Sequence, residues 1–505
     1  MKKRATNRRT RWAIALPAAT VCLAACAGGG TPAHPAAVDP FGSSWADRTM
    51  FQETLVDGVF FGDLVNATVY HIDLVIPPGF ESVEGREWIR YTNQEDQPLE
   101  EIYFQLFPNA AGGRTTISAL TVGDAAVLPV PEYLDSTIRV PLPSGLAPDE
   151  AITMQVDFTV EVGRETGGTY GLFGYFDGFL VLDGFYPVIP VYDDEGWNVQ
   201  NPPSIGDVTY LDSSFYLVRV TAPRDLELVA SGGEIEQGRA GRNQVVTVAA
   251  GPARDFYLAA AADLVQVGDR VGQTVITSFA WPQRREGGER ALQFARDALA
   301  LFDQRIGPYP YTEFDLIGTP MRALGVEYPG MTAISSALYD LDSVVAEVPA
   351  PIMLEGTVAH EVAHQWFYNV VGNDQVDEPW LDEALAQYLT GLYYRAVYGD
   401  QAEQDYRRSW TSRWDRIGDE PIPIGLPSGA YTAEEYSPIV YGRGPLFVAA
   451  LEDLMGREKF AGFLRDYYRA TTWGIATTGT FMVLAEQHCG CDLHEMFAEW
   501  VEPST

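Results

Sequence analysis

The chain is 505 residues long, 46% of them hydrophobic and 12% aromatic, a globular composition too long for one ordinary core and sufficient for two or three domains. Its 69 acidic residues against 34 basic ones give a formal charge of −35, which argues against a nucleic-acid partner, because phosphates require a cationic face. Lysine stands only at Lys2, Lys3 and Lys459, so arginine carries nearly all of the positive charge.

Residues 1–25 read as an export signal. A basic start (Lys2, Lys3, Arg4, Arg8, Arg9, Arg11) precedes an apolar stretch from Trp12 to Ala25 that is too short for a permanent membrane span. The Leu23-Ala24-Ala25-Cys26 that closes it resembles the lipobox of bacterial lipoproteins, which implies cleavage before Cys26 and lipidation of its thiol. An ordinary secretory cleavage nearby is the alternative. Both place the protein outside the cytoplasmic membrane; the lipobox reading adds a cell-envelope location, with the lipid as its one membrane contact. Loss of the six basic residues takes the formal charge to −41, so attraction to anionic lipid is not expected. Ala27 after the cysteine resembles lipoproteins sorted to an outer membrane. Residues 26–50, rich in Gly, Pro, Ala and Ser, read as a flexible tether in which His34 is idle.

From residue 51 to 265 the pattern is that of short strands between turn residues. The cleanest alternation is Ile152, Met154, Val156, Phe158 and Val160, with further strands expected at 69–76, at 102–107 and around Phe215, Leu217 and Val220. A β domain follows, as a sandwich or an open saddle-like sheet, in which His71 is structural. After Gly268 the period becomes helical (Leu292, Phe294, Ala295, Ala298, Leu299, Leu301, Phe302) and stops at Gly307-Pro308-Tyr309-Pro310. Helices are expected at 354–369, 381–398, 445–455 and 459–469. The predicted organisation is multidomain α+β, with the sheet domain at 51–265, a mixed catalytic domain at 266–395 and a helical segment at 396–505.

The segment His360-Glu361-Val362-Ala363-His364 carries the chemistry. Residues four apart share a helix face, so both imidazoles reach one ion about 2 Å from each ligating nitrogen. Glu383, with eighteen residues between it and His364, supplies the third ligand from the next predicted helix. A His2Glu set holds one zinc ion per chain and leaves a coordination position open for water, which marks a catalytic rather than a structural metal. Glu361, one residue past the first ligand, leans toward that position and is expected to act as general base.

HEVAHQWFYNVVGN followed by WLDEALAQY resembles the gluzincin aminopeptidases, the family of aminopeptidase N and leukotriene hydrolase. Three further segments agree: Gly307-Pro308-Tyr309-Pro310-Tyr311, Leu324-Gly325-Val326-Glu327-Tyr328 in place of the family's Gly-x-Met-Glu-Asn, and Tyr441-Gly442-Arg443-Gly444 in place of Tyr-x-Lys-Gly. The resemblance implies a thermolysin-like catalytic domain, peptide substrates, Glu327 as the binder of the substrate's α-ammonium group, and Tyr441 as hydrogen-bond donor to the developing oxyanion. The sequence departs from the family at Leu324, Val326 and Tyr328, keeps a positive charge at Arg443, and shows no counterpart around 179–192 of a Gln that helps to hold the amine. The chain runs 122 residues past Glu383, an extent that implies a cleft open to longer peptides.

His488-Cys489-Gly490-Cys491-Asp492-Leu493-His494 is not spaced as a zinc motif, and a local disulfide or free thiols are expected before a second metal site. The expected function is peptide hydrolysis from the N-terminus. An endopeptidase using the same zinc chemistry and a silent peptide-binding lipoprotein are the alternatives. The sequence gives no expectation for the preferred first side chain or for the oligomeric state.

Overall fold

A computed structural model describes residues 39, 41–42, 45–59, 61, 64–165, 170–199, 205–207 and 210–502; the expected signal, Cys26 and His34 lie outside them. Mixed α+β architecture is observed, rich in sheet toward the N-terminus and in helix toward the C-terminus. No helix among the described residues is long and apolar enough to cross a membrane.

Strand Val69–Val75 lies inside an eight-stranded sheet, parallel to Ser214–Pro223 and antiparallel to Ser82–Thr92. Its neighbour but one, Ala151–Glu161, is the alternating strand: Met154, Val156, Phe158 and Val160 are buried while Gln155, Asp157 and Thr159 are half-buried on the other face. The inward face packs into one core with Leu180, Leu182 and Leu258 of a four-stranded sheet and with Phe104 and Ile138 of a three-stranded one. The four-stranded sheet is covered on both sides, which is why Phe179-Leu180-Val181-Leu182 is apolar without alternation. Its opposite face (Phe179, Val181, Ala259, Ala261) packs on Ile317, Met331 and Ala333 of the next sheet. His71 fits its structural reading: its Nδ1 lies 2.7 Å from Asp39 Oδ2 and its ring stacks on Trp45.

That next sheet has five strands in the order Val265–Val271, Thr274–Ala280, Glu313–Thr319, Met331–Ser335 and Gly325–Tyr328. The helical period therefore begins with the helix Arg285–Arg305, not after Gly268, because two strands come first. The strand expected at 102–107 runs Leu99–Gln105 and gives way at Phe107-Pro108 to a short helix, proline having no N–H for a sheet ladder.

Glu87 carries a consequence for stability. It is fully buried on strand Ser82–Thr92, both carboxyl oxygens lack a partner among the described residues, and burial pushes its pKa well above the usual carboxylate range. A raised folded-state pKa means that the native state holds a proton the unfolded chain releases, so stability falls as pH rises from the unfolded value near 4.3 toward the folded one. Glu87→Gln removes that component. Gln stays uncharged at every pH, so the stability of the variant relative to the parent is expected to rise above pH 5 by about 1.4 kcal/mol per pH unit until the folded-state pKa is reached, and to be constant below pH 4. Thermal unfolding of both proteins across this range checks it; parallel pH profiles would contradict the assignment.

Candidate metal centre and active site

The helix Ala350–Ala363 follows Pro349 and carries His360 and Glu361 on its last turn, with His364 as its C-terminal cap. The predicted helix at 354–369 thus starts four residues earlier and ends six earlier. Its end is set from outside. Asn369 N–H bonds back to the His364 carbonyl, Tyr368 takes φ of +121°, and Arg254 Nε donates to the carbonyls of Tyr368 and Asn369 at 2.7 and 3.0 Å. A buried guanidinium from the sheet domain thereby satisfies carbonyls that a continued helix would use internally. Glu383 arrives on the first turn of helix Trp380–Tyr398, which fills the predicted span at 381–398.

Three ligand atoms converge. His360 Nε2 lies 3.2 Å from His364 Nε2 and 3.1 Å from Glu383 Oε2, and His364 Nε2 lies 3.6 Å from the same oxygen. Ligands about 2.05 Å from a tetrahedral zinc ion sit about 3.3 Å apart, so the three fit one such ion. Glu383 Oε2 is buried without a hydrogen-bond partner among the described residues, as suits an oxygen reserved for a cation. His364 Nδ1 meets the Phe367 carbonyl at 3.0 Å, which places the proton on Nδ1 and leaves Nε2 as the lone-pair donor. Burial works to raise the pKa of Glu383, but the adjacent His360 and His364 rings hold it far below the usual range.

Glu361 is buried beside this centre, its pKa raised by burial and by the Glu327 carboxylate. A Cβ on Gly325 would collide with the Glu361 carboxylate, so glycine on the edge strand is what lets that group occupy its position. Glu327, two residues on, is buried and accepts a hydrogen bond at 2.9 Å from Gln375 Nε2, which also donates to Asp382 Oδ2 at 2.7 Å. Tyr441 sits on a π-helical turn (Ile439–Arg443), and its phenol donates to Glu383 Oε1.

These residues line one cleft of about 920 Å³ that also receives Asp183, Asp207, Gln387, Arg413 and Tyr436. Gln387 belongs to the WLDEALAQY segment, whereas the other four lie outside any motif. Asp183 comes from the stretch 179–192, which contains no Gln. Burial, followed by the charges of Glu327 and Glu383, pushes the Asp207 pKa well up. Arg443 turns away from the cleft: its Nη1 donates to the carbonyls of Ile422 and Trp500 and its Nη2 to that of Glu499, fastening the C-terminal helix. Cys489 and Cys491 form a disulfide, which leaves neither thiol as a metal ligand.

Residues 290–500 match the family model described as Peptidase family M1 domain. Among curated proteins the chain is 25% identical over 227 residues to Aminopeptidase M1-B of Oryza sativa subsp. japonica, covering 43% of this chain and 25% of that one. It is 22% identical over 300 residues to Aminopeptidase 2 of Candida albicans, covering 57% and 32%. The matched region thus spans a quarter to a third of these relatives. An M1 zinc metallopeptidase from Deinococcus radiodurans superposes with a TM-score of 0.63 at 20% identity, over 87% of this chain and 94% of the other, a likeness of fold.

Proposed function

We propose that this chain, whose residues 290–500 match the Peptidase family M1 domain, is a zinc-dependent aminopeptidase of the gluzincin type that releases N-terminal residues from peptides. The observation that carries the reading is the convergence of His360, His364 and Glu383 on one ion-sized space, flanked by the buried carboxylates of Glu361 and Glu327.

When bound there, zinc supplies Lewis-acid polarisation of a carbonyl and lowers the pKa of water. The rest falls to the chain's own residues. Glu327, held by Gln375, takes the substrate's ammonium group and so places the first peptide bond, and no later one, at the centre. Glu361 removes the proton from the attacking water and delivers it to the leaving amine. Tyr441 moves its hydrogen bond from Glu383 Oε1 to the carbonyl oxygen as that oxygen gains charge. The same proposal includes export and a lipid anchor at Cys26, which would keep the enzyme at the envelope while leaving the cleft in water.

The test compares one short peptide with its N-acetylated twin, each with and without a zinc chelator. Cleavage of the free-amine peptide alone, abolished by the chelator and restored by added zinc, is the expected result. Equal cleavage of the twin would replace the reading by an endopeptidase. Zinc binding without cleavage across varied first residues would replace it by a peptide-binding protein.

A further inference from the structure

We propose that Arg413 binds the substrate's C-terminal carboxylate, making the cleft a site for peptides two or three residues long; this rests on the aminopeptidase reading above. Arg413 lines the cleft from the helix Asp400–Trp414. Its Nη1 donates to Gln387 Oε1 at 3.2 Å and to the Tyr441 carbonyl at 3.0 Å. Gln387 Nε2 in turn lies 3.3 Å from His360 Nδ1, so a single amide side chain separates the guanidinium from a residue of the metal centre. A carboxylate one or two residues beyond a carbonyl held at that centre lies about 3–7 Å further along the chain. That is the reach of a dipeptide or tripeptide.

The donors that Arg413 leaves unused weigh more. Two buried arginines elsewhere turn both terminal guanidinium nitrogens onto backbone carbonyls, although Nε of Arg443, like that of Arg407, has no partner among the described residues. Arg254 bonds those of Tyr368, Asn369, Leu211 and Gly474, and Arg443 those of Ile422, Trp500 and Glu499. On the same helix as Arg413, Arg407 pairs with Glu403 and Glu452. Arg413 employs Nη1 alone, and among the described residues its Nε and Nη2 have no partner and no carboxylate pairs with it. In a chain with 69 acidic and 34 basic residues, an unpaired arginine in a cleft is kept from its usual partners. The wall it continues, Tyr406 and Tyr394 with ring centroids 4.9 Å apart, is uncharged.

The cleft is therefore dipolar about its centre, with Glu327 to accept an ammonium group and Arg413 to accept a carboxylate. A short zwitterionic peptide satisfies both at once. The planar guanidinium grips a carboxylate through two parallel hydrogen bonds, which a terminal amide cannot match in charge or geometry.

Calorimetry on the zinc-loaded Glu361→Gln protein, which binds without turning over, separates the two readings. The ligands are a tripeptide with free termini, its C-terminal amide and its N-acetylated twin. Amidation is expected to weaken binding roughly tenfold to a hundredfold, and less than about twofold once Arg413→Gln is added, while Arg413→Lys retains part of the preference. Equal binding of acid and amide by the parent protein, or an acid preference that survives Arg413→Gln, overturns the proposal. N-acetylation reads the amine end independently: if it leaves binding unchanged, the aminopeptidase reading fails, whatever amidation does.

Discussion

Replacing Glu361 by Gln is expected to reduce kcat by at least about a thousandfold while leaving zinc content and thermal stability near those of the parent. The side chain keeps its volume, its buried position against Gly325 and one hydrogen-bonding oxygen, so folding has little to lose. What disappears is the basic site. Proton transfer by one positioned group contributes about 10²–10⁴-fold, and here one carboxylate serves the water and then the leaving amine. A thousandfold loss corresponds to about 4 kcal/mol of activation free energy. Glu361 is not among the three converging ligand atoms, so metal analysis of the purified variant distinguishes a proton-transfer role from a ligand role. A variant that loses zinc along with activity would place Glu361 on the metal.

The second large effect is expected at Glu327. Truncation to Ala removes a buried carboxylate and leaves the amide of Gln375 with Asp382 as its remaining carboxylate. Losing one partner of a buried, charge-assisted contact costs about 2–5 kcal/mol, or roughly thirtyfold to several thousandfold in kcat/KM on a free-amine peptide. The N-acetylated twin has no ammonium group to lose and should change little. The measurement is the ratio of the two rates, which collapses toward one if Glu327 is what recognises the N-terminus. A uniform decline of both rates would instead assign Glu327 a role in holding Gln375 and Asp382 in place. A companion Glu327→Gln variant keeps the packing but not the charge, and should show the same collapse.

Parts of this protein were legible along the chain because their cause is local. Strand Ala151–Glu161 is specified by alternation alone, and helix Trp380–Tyr398 by an apolar run closed by Gly399 at φ of +90°. The spacing of His360 and His364 puts two side chains on one helical turn whatever surrounds them, so their convergence is legible in the spacing alone. The α+β class followed from the change of period along the chain. Where the motif helix ends was not legible, because Arg254, more than a hundred residues away in sequence, bonds the carbonyls of the turn after it. Helix propensity between 364 and 369 cannot register a competitor so distant. The same holds for the strands at 265–280, whose place in the catalytic sheet depends on parallel pairing with Glu313–Thr319.

Fold class, ligand types and ligand spacing rest on backbone periodicity and side-chain identity, and both are written along the chain. The surroundings of the centre are not, and tertiary packing alone assigns them. Asp183 and Asp207 come from the sheet-rich part, Gln375 from the loop between the two ligand-bearing helices, and Arg413 from the helix beyond them. Packing also separates two arginines that look alike in sequence: Arg443 inside the recognisable segment turns both terminal nitrogens onto backbone carbonyls, while Arg413 outside any motif lines the cleft with Nη1 alone bonded. The physical reason is that a binding surface is assembled from side chains brought together by long-range contacts, and such contacts leave no period in the chain.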